Sequence, residues 1–194
     1  MDSSGLLQYK AEGPVSPVMA STISKTQVIS SPSRERATNN AKIFLAGSTN
    51  RNDDWRGRLE AKLVRCNIEA TIFNPFRRDW DWPCDAQDER FREQVGWELE
   101  KQEAADLVVV YLCPGTKAPI SLMELGLCAK TGPSKIVVCP LGYSLRGNVQ
   151  MVCERYRIEM LDSEDTLADK IIDWVENEYT YKYMDKSVTV QVPG

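Results

Sequence analysis

The chain contains no histidine, which removes Ser-His-Asp triads, histidine general bases and histidine-ligated metal centres from its repertoire. Acid–base work therefore falls to carboxylates, tyrosine, lysine or cysteine. No run of 18 apolar residues occurs, so no membrane span is expected, and Met1-Asp2-Ser3-Ser4 lacks the basic and apolar character of a secretory leader. Six cysteines are present, but none forms a Cys-x-x-Cys pair and most lie in apolar stretches. They read as reduced core residues of a cytoplasmic protein. A basic excess is missing too: 24 Lys and Arg against 28 Asp and Glu give a net charge of −4. That balance argues against a surface for a nucleic-acid polymer and is compatible with a nucleotide monomer.

What is present fits one ordinary domain with tails, at 42% hydrophobic and 27% charged content over 194 residues. Residues 1–40 are rich in Ser, Thr, Pro and Asn without sustained periodicity. They read as a disordered leader, with a phosphorylatable arm as the sharper alternative. A domain is expected over 41–180 and a C-terminal tail over 181–194. Strands are expected at 42–46, 69–73, 106–113, 135–139 and 158–161. Asp106–Cys113 is nearly all apolar, as a central parallel strand buried on both faces requires. Helices are expected at 53–66, with Trp55, Leu59, Leu63 and Cys66 on one face, and at 88–105, with Phe91, Val95 and Leu99 on one face. Further helices are expected at 120–130, 148–156 and 163–179, the last capped from Asp162-Ser163. The alternation implies an α/β fold with a parallel sheet of about five strands and helices on both faces.

In such folds ligands bind beyond the carboxyl ends of the strands. That rule selects four loops, 47–53, 74–85, 114–119 and 140–147. Gly47-Ser48-Thr49-Asn50-Arg51 can receive an anion or sugar hydroxyls on its backbone N–H groups, or can be a simple turn and helix cap, since it lacks both common glycine-rich phosphate motifs. The loop from Asn74 to Pro83 gathers Asp79, Trp80, Asp81 and Trp82. Its tryptophans can stack on a nucleobase or staple the loop, and its aspartates can bind a base edge or a sugar hydroxyl. On the following helix Gln94 and Glu98 stand one turn apart, where charge is ordinarily solvated. Glu124, in Ile120-Ser121-Leu122-Met123-Glu124-Leu125-Gly126, is the least ordinary acid of the chain, because a carboxylate flanked by apolar residues needs a task or a partner.

These segments together resemble the nucleoside 2-deoxyribosyltransferase-like family: Leu45-Ala46-Gly47-Ser48 ending the first expected strand, an acid eight residues before Asp106, and Met123-Glu124-Leu125-Gly126. The nearest branch carries an Asn-Pro…Asp-Trp-Asp loop and a Glu-Gln-Val-x-Trp-Glu-Leu helix, here Asn74-Pro75, Asp79-Trp80-Asp81 and Glu93 to Leu99. The resemblance covers roughly residues 42–160. It implies a flavodoxin-like (Rossmann-like) sheet and cleavage of the bond between a nucleobase and C1′ of a 2-deoxyribose, with Glu124 as nucleophile and Glu98 as second acid in place of a more usual Asp. Two departures are visible. Phe44 stands where family members often carry a Tyr that orients the nucleophile, and an Asp often found shortly before the nucleophile is absent, with Ala118 near that position. Ser121, Asp79 and Asp81 are the expected substitutes.

The implied chemistry follows the two-step logic of a retaining glycosidase, with no metal and no dissociable cofactor. Water as acceptor makes an N-glycosidase, another base a transferase. Arg51, Ser48, Arg77 and Arg78 leave room for a 5′-phosphate. Two rival readings are a catalytically silent nucleotide-binding module, marked by Phe44, and an NAD glycohydrolase, with which Ser121 three residues before Glu124 is compatible. A homodimer or larger homo-oligomer is implied by the resemblance, with Trp55, Trp97 and the Trp80/Trp82 loop as candidate interface residues.

Overall fold

The computed structural model describes residues 24–50, 53–81, 84–130 and 132–180. Arg51, Trp82, residues 1–23 of the expected leader and the expected tail 181–194 lie outside them. Six strands, β1 Gln27–Ser30, β2 Ala41–Gly47, β3 Ala70–Asn74, β4 Leu107–Tyr111, β5 Ser134–Val138 and β6 Glu159–Leu161, form one sheet in the order β1-β3-β2-β4-β5-β6, and every pairing is parallel. The helices are α1 Trp55–Cys66, α2 Glu89–Ala104, α3 Pro119–Ala129, α4 Arg146–Tyr156 and α5 Leu167–Asp173, which runs on into a π-helical segment Trp174–Tyr179. Without β1 the strand order is that of flavodoxin-like folds, with the topological switch between β2 and β4. No helix among the described residues is long and apolar enough to cross a membrane.

The alternation of strand side chains divides the core in two. Ile43 and Leu45 of β2 and Leu107 and Val109 of β4 pack against Trp55, Leu59 and Leu63 of α1 and Leu167 and Ile171 of α5. Phe44 and Ala46, with Val108 and Val110, face α2, α3 and α4 through Trp97, Leu125, Val149 and Cys153. All six cysteines are free thiols, and Cys113, Cys128, Cys139 and Cys153 are buried, whereas Cys66 and Cys84 are exposed.

Cys66 and Cys84 thus lie outside the core where all six cysteines were expected, and three further expectations differ from the structure. The sheet has six strands rather than five, because Gln27–Ser30, within the expected leader, adds to the free edge of β3. Thr26 Oγ1 donates to the Ile68 carbonyl at 2.7 Å and Ile29 is buried, so the segment is fixed by a tertiary edge rather than by its own pattern. The inner face of α2 is Gln94, Trp97 and Gln102, while Leu99 is 42% exposed. Its glutamines can be buried because each is hydrogen-bonded. Finally, α5 starts at Leu167 rather than at Ser163, whose hydroxyl instead bonds Asp165 in a turn.

Replacing Ile29 with Ala should cost about 2–5 kcal/mol in urea denaturation, the range for a buried aliphatic truncation. An unchanged midpoint would place β1 outside the cooperative unit.

Candidate active site

At the switch point β2 passes so close to β4 that no side chain fits. Gly47 has φ +134°, and a Cβ there would lie 2.4 Å from the Tyr111 carbonyl oxygen and 2.7 Å from its nitrogen. The chain then crosses over: Ser48 N–H donates to the Tyr111 carbonyl at 2.7 Å, and Ser48 Oγ accepts from the Cys113 N–H and the Thr116 hydroxyl, each at 3.0 Å. Trp55 stacks on Tyr111 with ring centroids 4.9 Å apart and donates its indole N–H to the Ser48 carbonyl at 3.1 Å. Arg56, 5% exposed, lies over the Trp55 ring and gathers the end of β2. Its Nε donates to Leu45 O at 3.1 Å, one terminal nitrogen to Ser48 O at 3.3 Å and the other to Gly47 O at 2.7 Å.

Carboxylates converge on this end of the sheet from three helices. Glu124, 8% exposed, sits on α3, which starts at Pro119 after Ala118 in the left-handed conformation. Its backbone carbonyl accepts from Gln102 Nε2 of α2 at 3.0 Å, and its carboxyl faces the Gly47 N–H. Burial and then the neighbouring Glu98 push the Glu124 carboxyl up to about 7, against the opposing pull of Arg56 and the Gly47 N–H. Glu98 is also held above the usual carboxylate range, by burial first, while its bond from Gln94 Nε2 at 2.7 Å and the Arg56 charge act the other way. Gln94 is itself fixed by donating to Pro75 O at 2.8 Å and by accepting from the Ser31 hydroxyl. Glu60 of α1 is the third raised carboxyl, again through burial, and accepts from Asn74 Nδ2 at 2.6 Å. Arg56 is the cation between them: burial lowers it to about 10, and Glu124, Glu98, Glu60 and Asp54, in that order, oppose the shift. Two neighbouring carboxyls with raised proton affinity, one able to hold a proton at neutral pH while the other is ionised, are suited to acid–base and nucleophilic work on one substrate.

Of the residues expected at a site, Gly47, Ser48, Asn74, Gln94, Glu98 and Glu124 are drawn together at this end of the sheet, with Ser121 buried in the first turn of α3 below Glu124. Gln94 and Asn74 are buried and spend their amides on Glu98 and Glu60, which makes them supports of the carboxyls. Phe44 is not brought to the site surface, being 0% exposed in the core under α2 and α3. Asp79 is exposed and held by Arg77 through two bonds of 3.0 and 2.8 Å, and Asp81 is exposed. Trp80 packs edge-on against Phe91 of α2 with centroids 6.2 Å apart, which staples the loop to the helix. Arg78 stands 3.5 Å from Asp54. Arg51 lies outside the described residues. Trp55 and Trp97 are buried and belong to the core. Sequence reasoning missed Arg56, Glu60, Ser31 and Gln102. Arg56 did leave a signal, because a cation in the first turn of a helix opposes the dipole and so asks for a separate reason.

Among the described residues, no group of three or more His, Cys, Asp or Glu is placed to hold a metal ion. Compared with known proteins, residues 40–143, more than half of the chain, match the model of a family described as nucleoside 2-deoxyribosyltransferase like. No curated protein matches the chain. The matched stretch contains Arg56, Glu60, Glu98 and Glu124 and leaves β1 outside.

The Glu124 carboxyl also generates a stability prediction. A carboxyl raised from its ordinary value of 4.5 to about 7 binds its proton more tightly in the folded state, so the native protein loses stability as pH rises through that window. Glu124→Gln should therefore gain on wild type between about pH 4.5 and pH 7, by on the order of 3 kcal/mol at the upper end, in urea melts across that range. A difference that does not change with pH would contradict the burial argument.

Proposed function

The chain belongs to the nucleoside 2-deoxyribosyltransferase-like family, and from that premise we propose that it cleaves or transfers the N-glycosidic bond of a nucleoside or nucleotide through Glu124 as nucleophile. The observation that carries this reading is the pairing of buried Glu124 with half-buried Glu98 at the switch point, both raised, beside one buried cation. Ionised Glu124 attacks C1′ as the C1′–N bond breaks, and the base leaves with a proton taken from Glu98. The product is a glycosyl ester on Glu124. In the second step Glu98 removes a proton from water or from an acceptor base, whose oxygen or nitrogen bonds C1′ and releases the Glu124 carboxylate.

Burial raises both carboxyls, Glu124 to about 7; in this reading the part of Glu124 that is ionised at neutral pH, favoured by Arg56, attacks while Glu98 supplies the proton. Arg77 and Arg78 already face Asp79 and Asp54, which weakens them as phosphate ligands and favours the nucleoside over its 5′-monophosphate. The family's deoxyribose is the expected sugar, since a 2′-hydroxyl withdraws electrons from the cationic transition state. We also read the protein as a homo-oligomer: α3 carries Ile120, Met123 and Leu127 at 57%, 53% and 57% exposure, an apolar stripe of the kind a second copy covers.

The test is chromatographic detection of free base from deoxynucleosides, deoxynucleotides, ribonucleotides and NAD, with and without an acceptor base. Glu124→Ala should lower release by at least about 10³-fold, and Glu98→Gln by about 10²–10⁴-fold. An acceptor product makes the protein a transferase, and nicotinamide release makes it an NAD glycohydrolase. Nucleotide binding without release from any substrate would leave a silent binding module.

A further inference from the structure

Arg56 is a costly residue to keep where it stands. It is buried, it lies in the first turn of α1, where the helix dipole disfavours a cation, and burial holds its guanidinium below its ordinary value. Packing alone does not call for it, since its neighbour Trp55 already fills the space between α1 and Tyr111. What Arg56 does is polar and directional. Each of its three nitrogens donates to a different carbonyl of one short segment, Leu45, Gly47 and Ser48, at 3.1, 2.7 and 3.3 Å. Only a planar guanidinium supplies three such donors from a fixed fork. Gly47 within that segment is also the residue whose N–H faces the Glu124 carboxyl.

We propose that Arg56 is a positioning residue for Glu124: by fixing the Leu45, Gly47 and Ser48 carbonyls it holds the end of β2 that faces the Glu124 carboxyl, and its charge favours the ionised form of that carboxyl. This rests on the reading of Glu124 as nucleophile. The groups facing Glu124 are Arg56 from α1, Glu98 from α2, the Gly47 N–H from β2 and Cys128 from its own helix. Arg56 is the single cation of that set, so its removal leaves Glu98 to raise Glu124 further. A residue that merely braced β2 against α1 would change stability and leave the proton affinity of Glu124 alone.

The experiment follows the Glu124 carboxyl by ¹³C NMR titration in wild type, Arg56→Gln, Arg56→Lys and, as a control on the same helix, Arg58→Gln, with pH profiles of base release alongside. Arg56→Gln should bind the Glu124 proton about tenfold more tightly or more, moving the acid limb of kcat/KM to higher pH. Arg56→Lys keeps the charge but loses the fork. It should titrate near wild type while kcat falls by about tenfold with KM little changed. Arg58→Gln should match wild type in both. A folded Arg56→Gln with an unchanged Glu124 titration would overturn the proposal. If that variant does not fold, Arg56→Lys decides: an unchanged kcat overturns it. Wild-type protein that releases no base would instead remove the proposed reaction, and the Glu124 titration would still judge the link to Arg56.

Discussion

The whole site hangs on the approach of β2 to β4 at Gly47. A side chain there would meet the Tyr111 backbone at 2.4 Å, so the peptide after Ala46 runs where other residues would be pushed outward. Because it runs there, the Gly47 N–H faces the carboxyl of Glu124, the Ser48 hydroxyl accepts from the Cys113 N–H, and the Gly47 and Ser48 carbonyls turn toward α1. Those carbonyls end a strand and have no further strand partner, so they need donors from elsewhere. Trp55 and Arg56 provide them from the first turn of the next helix, which is how an aromatic residue and a cation come to share the start of α1.

Around that crossing the protein tolerates charges that a core would ordinarily exclude. Glu60, Glu98 and Glu124 are all raised by burial, and Arg56 is lowered by it, so each is less favourably solvated than in water. The arrangement survives because its members are held by polar partners: Asn74 bonds Glu60, Gln94 bonds Glu98, three carbonyls bond Arg56, and the Gly47 N–H and the Arg56 charge face Glu124. Even Gln94 is held in turn, by Pro75 and by Ser31 just beyond the edge strand β1. Stability is thus exchanged for a pair of carboxyls that both hold their protons more tightly than an exposed glutamate does.

How much of this was legible in the sequence depended on whether a residue's role was local. β4 could be read because Leu107 to Tyr111 is buried on both faces and therefore apolar throughout. Glu124 could be read because a lone acid in an apolar helix contradicts its surroundings. Glu98 could not be singled out from its own helix, where Glu93 and Glu100 are equally acidic and exposed, and only the family resemblance pointed to it. The α2 face was misread for the same reason. Phe91, Val95 and Leu99 follow helical spacing, but Gln94 and Gln102 win the inner side through partners on Pro75 and α3, which no spacing reveals. β1 stayed hidden because four residues in a polar stretch acquire order only from the edge of β3.

α3 joins the chemistry to the surface. Its inward side carries Ser121, Glu124, Leu125 and Cys128, and its outward side carries Ile120, Met123 and Leu127, so the helix is apolar nearly all round. A helix of that composition ordinarily lies between two layers of protein rather than between protein and water. The bond from Gln102 to the Glu124 carbonyl fixes its depth relative to α2, and Leu125 packs it against Phe44 and Ala46 of β2. Nothing comparable among the described contacts fixes its outer side.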